Sequence, residues 1–163
     1  ILVTHGHFDH IVGLADLAEG TGAPVYAPSA ERVLLEHPDE YTPAGFAVRP
    51  ATPDVELEGG ERLSLADVEL DVLAVPGHSP GHLAYAANGS VFSGDVLFAG
   101  SVGRTDLPGG DWPTLLDSIR SLVSALPPDT EVLPGHGPAT TLARELASNP
   151  FLAELREERQ EAG

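Results

Sequence analysis

The 163-residue chain contains no cysteine and no lysine, and it has no long apolar run. Without cysteine there are no disulfides, no thiolate metal ligands and no cysteine nucleophile. All eight basic residues are Arg against 25 acids, a net charge of −17. Sequence-independent nucleic-acid binding needs clustered basic side chains, and these Arg residues are scattered, so no nucleic-acid partner is expected. No stretch approaches the ~18 to 20 apolar residues of a membrane helix, so no membrane partner is expected either. The chain opens on Ile1, in what reads as a core strand, so a targeting segment could have been removed. A cytosolic protein needs no disulfides, and the cytoplasm is the expected location. The length suits one domain spanning residues 1–163.

What is present is an unusual density of metal-binding side chains. His5, His7, Asp9 and His10 lie within six residues, directly after the apolar run Ile1-Leu2-Val3. His78, Asp95 and His136 follow far downstream, in Pro76-Gly77-His78, Ser93-Gly94-Asp95 and Pro134-Gly135-His136. Neutral imidazole and carboxylate suit zinc, iron and manganese. Seven such groups exceed the needs of one ion and match two divalent ions sharing a carboxylate, with zinc expected and iron or manganese as alternatives. In an extended segment residues two apart point the same way, so His5 and His7 can reach one ion together. Asp9 and His10 fall where the chain turns into a helix and can face a second ion. Asp95 ends a strand and can bridge both.

The remaining pattern mixes strands and helices. Strands are predicted at Ile1–Val3, Ala23–Ala27, within residues 55–75, at Leu83–Ala87, Ser90–Ser93 and Glu131–Leu133. Asn88-Gly89 is a strong hairpin signal. Helices are predicted over residues 11–19, from an N-cap at Ser29 to Glu36, from Asp111 or Trp112 to Leu126, over Thr140–Ala147, and after Asn149-Pro150. Residues 37–54 hold four prolines and no periodicity, which predicts a surface loop that could cover a site.

The series His5-x-His7-x-Asp9-His10, then His78, Asp95 and His136, resembles the metallo-β-lactamase superfamily. Pro76-Gly77-His78-Ser79-Pro80-Gly81-His82, Ser93-Gly94-Asp95-Val96-Leu97-Phe98 and Gly103-Arg104-Thr105-Asp106-Leu107-Pro108-Gly109-Gly110 resemble the short bacterial glyoxalase II-type hydrolases. The resemblance implies an α+β fold, the four-layer αβ/βα sandwich. It implies one metal held by His5, His7 and His78, a second held by Asp9, His10 and His136, and Asp95 between them. It also implies that the domain is N-terminally incomplete, because the family places strands and a helix ahead of the His-rich segment. An exposed sheet edge would follow.

The function expected is hydrolysis of a thioester such as a hydroxyacyl-glutathione, a small-molecule substrate, by a hydroxide held between two ions. Asp9 and Asp95 take the catalytic roles, with Asp9 orienting the nucleophile. Arg104 is the candidate cation for an anionic substrate, or else an ion-pair partner of Asp106 or Asp111. His82 reads as a hydrogen-bonding residue behind the ligands. Tyr41, Phe46 and Trp112 are candidates for lining the pocket, or for the core. Two alternatives stand beside this reading. One is a mononuclear iron persulfide dioxygenase of the same superfamily, with the metal on His5, His78 and Asp95. The other is an inactive fragment. The oligomeric state is not legible.

Overall fold

The computed structural model describes residues 1–161. In chain order its elements are α1 (Phe8–Ile11), α2 (Leu14–Thr21), β1 (Tyr26–Pro28), α3 (Arg32–Glu36), β2 (Val55–Leu57), β3 (Arg62–Leu65), β4 (Val68–Ala74), β5 (Leu83–Ala87), β6 (Ser90–Gly94), β7 (Leu97–Phe98), β8 (Ser101–Val102), α4 (Trp112–Ala125), β9 (Glu131–Pro134), β10 (Thr140–Thr141), α5 (Leu142–Ser148) and α6 (Ala153–Glu161). Six strands form one sheet in the order β10-β9-β6-β5-β4-β3. A smaller sheet pairs β1 with β2 in parallel, and Leu2 extends it through a bridge to Tyr26.

Alternation of side chains along the strands sorts the apolar residues into three buried layers. Leu83 and Tyr85 of β5 face Leu57, Leu70 and Val72 between the two sheets. Ala84 and Ala86, on the opposite face of β5, pack against Leu115, Ile119 and Leu122 of α4, Leu142 of α5 and Leu155 of α6. Val3, Val25 and Ala27 meet Ile11, Leu14 and Leu35 from the first three helices. Three apolar layers separate four structural ones, helix, sheet, sheet, helix, which is the expected sandwich. The Tyr85 hydroxyl crosses the middle layer and donates to the Val3 carbonyl at 2.7 Å, two residues before His5.

Several local expectations shift. Ile1–Val3 is extended but pairs only at Leu2, with Val3 N–H donating to Tyr26 and Tyr26 N–H to Ile1. The helix predicted over residues 11–19 is two helices, broken at Val12 and Gly13, because the His-rich turn takes its own helical turn first. The strand predicted at Ala23–Ala27 lies at Tyr26–Pro28. Ser29 does not cap α3; it opens a 3-10 turn, Ser29–Glu31, that carries Glu31 inward. Thr140 and Thr141 are strand, paired with β9, and Thr141 caps α5. Asp111 and Asn149 cap the helical turns that follow them, accepting from the backbone N–H three and two residues on. Asn88 and Gly89 both have positive φ, 52° and 79°, as a tight hairpin turn of this kind requires. Among the described residues no helix is long and apolar enough to cross a membrane.

Candidate metal centre

Strand direction gathers the downstream residues. β5 is antiparallel to both β4 and β6, and β9 is parallel to β6, so β4, β6 and β9 all run the same way. Their C-terminal ends therefore emerge at one edge of the sandwich, followed by His78, Asp95 and His136. Gly135 N–H donates to the Gly94 carbonyl at 2.9 Å and locks two of these ends side by side. The His5–His10 segment arrives from the other sheet, held by Leu83 N–H donating to the Thr4 carbonyl at 2.8 Å.

All seven predicted donors meet there. His5, His7 and His78 offer ligand atoms within 4.8 Å of one another, as do Asp9, His10 and His136, and as do His5, His10 and Asp95. Asp95 lies between the first two sets. Its Oδ1 is 3.3 Å from His10 Nε2, and its Oδ2 is 3.7 Å from His78 Nε2 and 3.4 Å from His136 Nε2. Asp9 Oδ2 lies 3.1 Å from His136 Nε2. His5 and His78 are buried, whereas Asp9 and His136 are exposed, so the assembly opens to solvent on the Asp9 side.

The donor set fits a metal on an observation independent of any likeness. His5 Nε2, His10 Nε2 and Asp95 Oδ1 are buried with no hydrogen-bond partner. Buried polar atoms left unpaired are rare and costly, and three converging on one spot are explained by a cation. His78 Nδ1 donates to the Arg104 carbonyl at 2.8 Å, which leaves its Nε2 lone pair facing His7 Nδ1 at 2.9 Å. Gly135 permits the close packing: a Cβ there would lie 2.4 Å from Asp95 Oδ1 and 2.6 Å from His10 Cε1.

Protonation follows burial. Burial, then the neighbouring imidazoles, pushes His5 well below its ordinary 6.5, and burial brings His82 down to about 3. Burial followed by His78 lowers His7. Neutral rings of this kind are ready ligands. Burial also opposes charge on His10 and Asp95, but their close approach, Nε2 to Oδ1 at 3.3 Å, outweighs it, raising His10 and lowering Asp95. In the metal-free chain this sets a pH dependence. Below 6.5 the unfolded imidazoles of residues 5, 7 and 82 bind protons that the folded ones refuse, so stability falls as pH falls from 6.5 toward about 3. His10 works in the opposite sense, its contribution fully present below 6.5 and lost as pH rises through its raised value. Urea unfolding of chelator-treated protein should show a lower midpoint at about pH 5 than at about pH 7, and equal midpoints would mean the rings are solvated.

The residues placed around this core have mixed fates. His82 is fully buried, stacks on His5 at 4.5 Å and accepts the Asp95 backbone N–H at 3.0 Å. Arg104 is exposed and forms a two-pronged pair with Asp106, Nε to Oδ1 at 2.7 Å and Nη2 to Oδ2 at 2.8 Å. Phe46, 61% exposed, rests its ring 4.9 Å from Phe8, so the long loop does reach the His-rich turn. Tyr41 is exposed, and Trp112 packs on the α4 core beside Phe151, so neither is a buried wall of the site. Sequence reasoning missed Glu31, which is 1% exposed and bonded to both His-bearing turns. An acid at a helix start carries no signal that separates this role from a solvated one.

A family model described as the metallo-beta-lactamase superfamily matches residues 1–136. The chain is 42% identical over 157 residues to YqgX, a probable metallo-hydrolase of Bacillus subtilis, covering 93% of this chain and 74% of that protein. It is 36% identical over 163 residues to the hydroxyacylglutathione hydrolase GloC of Haemophilus influenzae, again covering 93% and 74%. Among solved structures it resembles the BLEG-1 B3 metallo-beta-lactamase (TM-score 0.88, 41% identity, 94% and 76% covered). TTHA1623 in a di-iron-bound form has a TM-score of 0.85 at 48% identity, with 93% and 76% covered. ETHE1 from Myxococcus xanthus is more distant, at 0.72 and 28%, with 96% and 67% covered.

Proposed function

This chain belongs to the metallo-beta-lactamase superfamily, and on that premise we propose that it is a metal-dependent hydrolase of thioesters of the hydroxyacyl-glutathione kind. One observation carries the reading: two facing donor sets with a shared carboxylate, open to solvent on one side. His5, His7 and His78 would hold one divalent ion, Asp9, His10 and His136 the second, and Asp95 would serve both. Zinc suits these donors, and so does iron, the metal in TTHA1623. Such ions, when bound, bring the pKa of water to about 7 and polarise an acyl oxygen.

The chain's own residues do the rest. Asp9, at the open side, accepts a hydrogen bond from the incoming water and turns its lone pair toward the acyl carbon. Asp95 is held from behind by the His82 bond to its backbone N–H, which fixes the carboxylate between the two sets. A thiolate leaves without needing a proton, so no general acid is required of the protein. The name of GloC supports the thioester class. The likeness to BLEG-1 keeps a β-lactam in the assay panel, because a shared fold does not fix the substrate.

The test is metal content per chain by plasma mass spectrometry, on protein purified without chelator, followed by hydrolysis of S-lactoylglutathione. About two ions per chain and thioester turnover are expected. About one iron, with oxygen consumed in the presence of glutathione persulfide, would replace this reading by the dioxygenase.

Arg104 is proposed to meet the anionic end of the substrate in exchange for Asp106. Removing the competitor by Asp106→Asn should lower KM for an anionic thioester about threefold, and Arg104→Ala should raise it up to about tenfold, with kcat nearly unchanged in both. Equal KM values in both variants would assign the pair to loop structure alone.

A further inference from the structure

Glu31 is a buried carboxylate outside the donor sets, and its bonds single it out. Its Oε2 accepts the Gly6 N–H at 2.6 Å, and its Oε1 accepts the Gly81 N–H at 2.9 Å and the Ser79 hydroxyl. Gly6 lies between His5 and His7, and Ser79 follows His78. One side chain thus joins two turns that are 73 residues apart, counting from Gly6 to Ser79, and that together carry His5, His7 and His78. No Arg pairs with Glu31 among the described residues. A charged group kept in the interior on three donors is expensive to place there, and a neutral apolar contact would hold two turns together at less cost.

We propose that Glu31 is a positioning residue for the metal held by His5, His7 and His78, setting the separation of the two turns through their backbones. The inference rests on the ligand reading above. Glutamine cannot replace the carboxylate: whichever way its amide is turned, an NH₂ faces either the Gly6 N–H or the Ser79 and Gly81 donors. One turn is released and the ring nitrogens drift from a common point.

Glu145 supplies a matched comparison. It is equally buried and also accepts three bonds, from Gly100 N–H at 2.8 Å, the Thr140 hydroxyl at 2.6 Å and the Asn149 amide at 2.9 Å, but none of these donors adjoins a metal-binding side chain. The experiment measures zinc affinity by competition with a chromophoric chelator, and urea stability of the metal-free chain, for wild type, Glu31→Gln and Glu145→Gln. Both substitutions should lower metal-free stability. Only Glu31→Gln should weaken one of the two zinc sites, by about 10- to 100-fold. Affinities unchanged in Glu31→Gln, or lowered equally in Glu145→Gln, overturn the proposal. Should Glu31→Gln fail to fold, Ser79→Ala removes one donor and leaves the carboxylate; it should weaken the same site about threefold, and wild-type affinity there overturns the proposal equally. A wild-type chain that takes up no metal instead refutes the ligand reading, and this inference falls with it.

Discussion

Replacing Asp95 by alanine should lower the metal bound from about two ions per chain to one or fewer and reduce hydrolysis by about three orders of magnitude. The size of the effect follows from the position of the carboxylate. One oxygen faces His10 at 3.3 Å and the other faces His78 and His136 at 3.7 and 3.4 Å, so a single truncation removes a donor from both sets. The fold should survive it. The Asp95 N–H still donates to His82, and the Gly135–Gly94 bond still joins the two strand ends. The loss should therefore appear in metal content and kcat, with a cooperative unfolding transition retained. Wild-type metal content in Asp95→Ala would remove Asp95 from the shared position.

The second large effect is on stability. Gly77→Ala should cost about 3 kcal/mol or more and lower the melting temperature by about 6 to 12 °C. Gly77 has φ +128°, a region that L side chains rarely adopt. A Cβ there would also fall 2.3 Å from the Leu115 backbone nitrogen and 2.4 Å from its Cα. Neither side can yield easily. The Gly77 carbonyl accepts the Asp111 N–H at 2.8 Å, and Ser118 donates to the Pro76 carbonyl at 2.7 Å, so the turn is pressed onto the start of α4. Because His78 is the next residue, the same substitution should weaken metal binding. Thermal melts with and without added zinc separate the two consequences: the metal-free loss reports the backbone clash, and a smaller zinc-induced rise than in wild type reports the displaced ring. A melt within about 2 °C of wild type would show that the turn can relax.

These expectations rest on features legible to different degrees in the sequence. The hairpin at Asn88-Gly89 and the caps at Asp111 and Asn149 are local, because each is specified by residues within a few positions of one another. The break in the first helix was not legible, because the apolar residues Ile11 and Leu14 keep helical spacing across it. The burial of Glu31 was equally hidden, because it depends on donors at residues 6, 79 and 81. The pairing of Arg104 with Asp106 was legible as one of the arrangements that the loop composition allowed, and the structure selected it over Asp111.

By itself the sequence determined the chemistry available: imidazole and carboxylate without thiolate, seven such groups at strand ends, and too few cations for a polyanionic partner. Tertiary structure alone decided that these groups share one edge, which of them face one another, and which are buried or open to solvent. The physical reason is distance along the chain. His5, His78, Asp95 and His136 meet only because β4, β6 and β9 run in one direction and a second sheet is packed against theirs, with Tyr85 and Glu31 tying the two halves. No local pattern encodes a contact of that range.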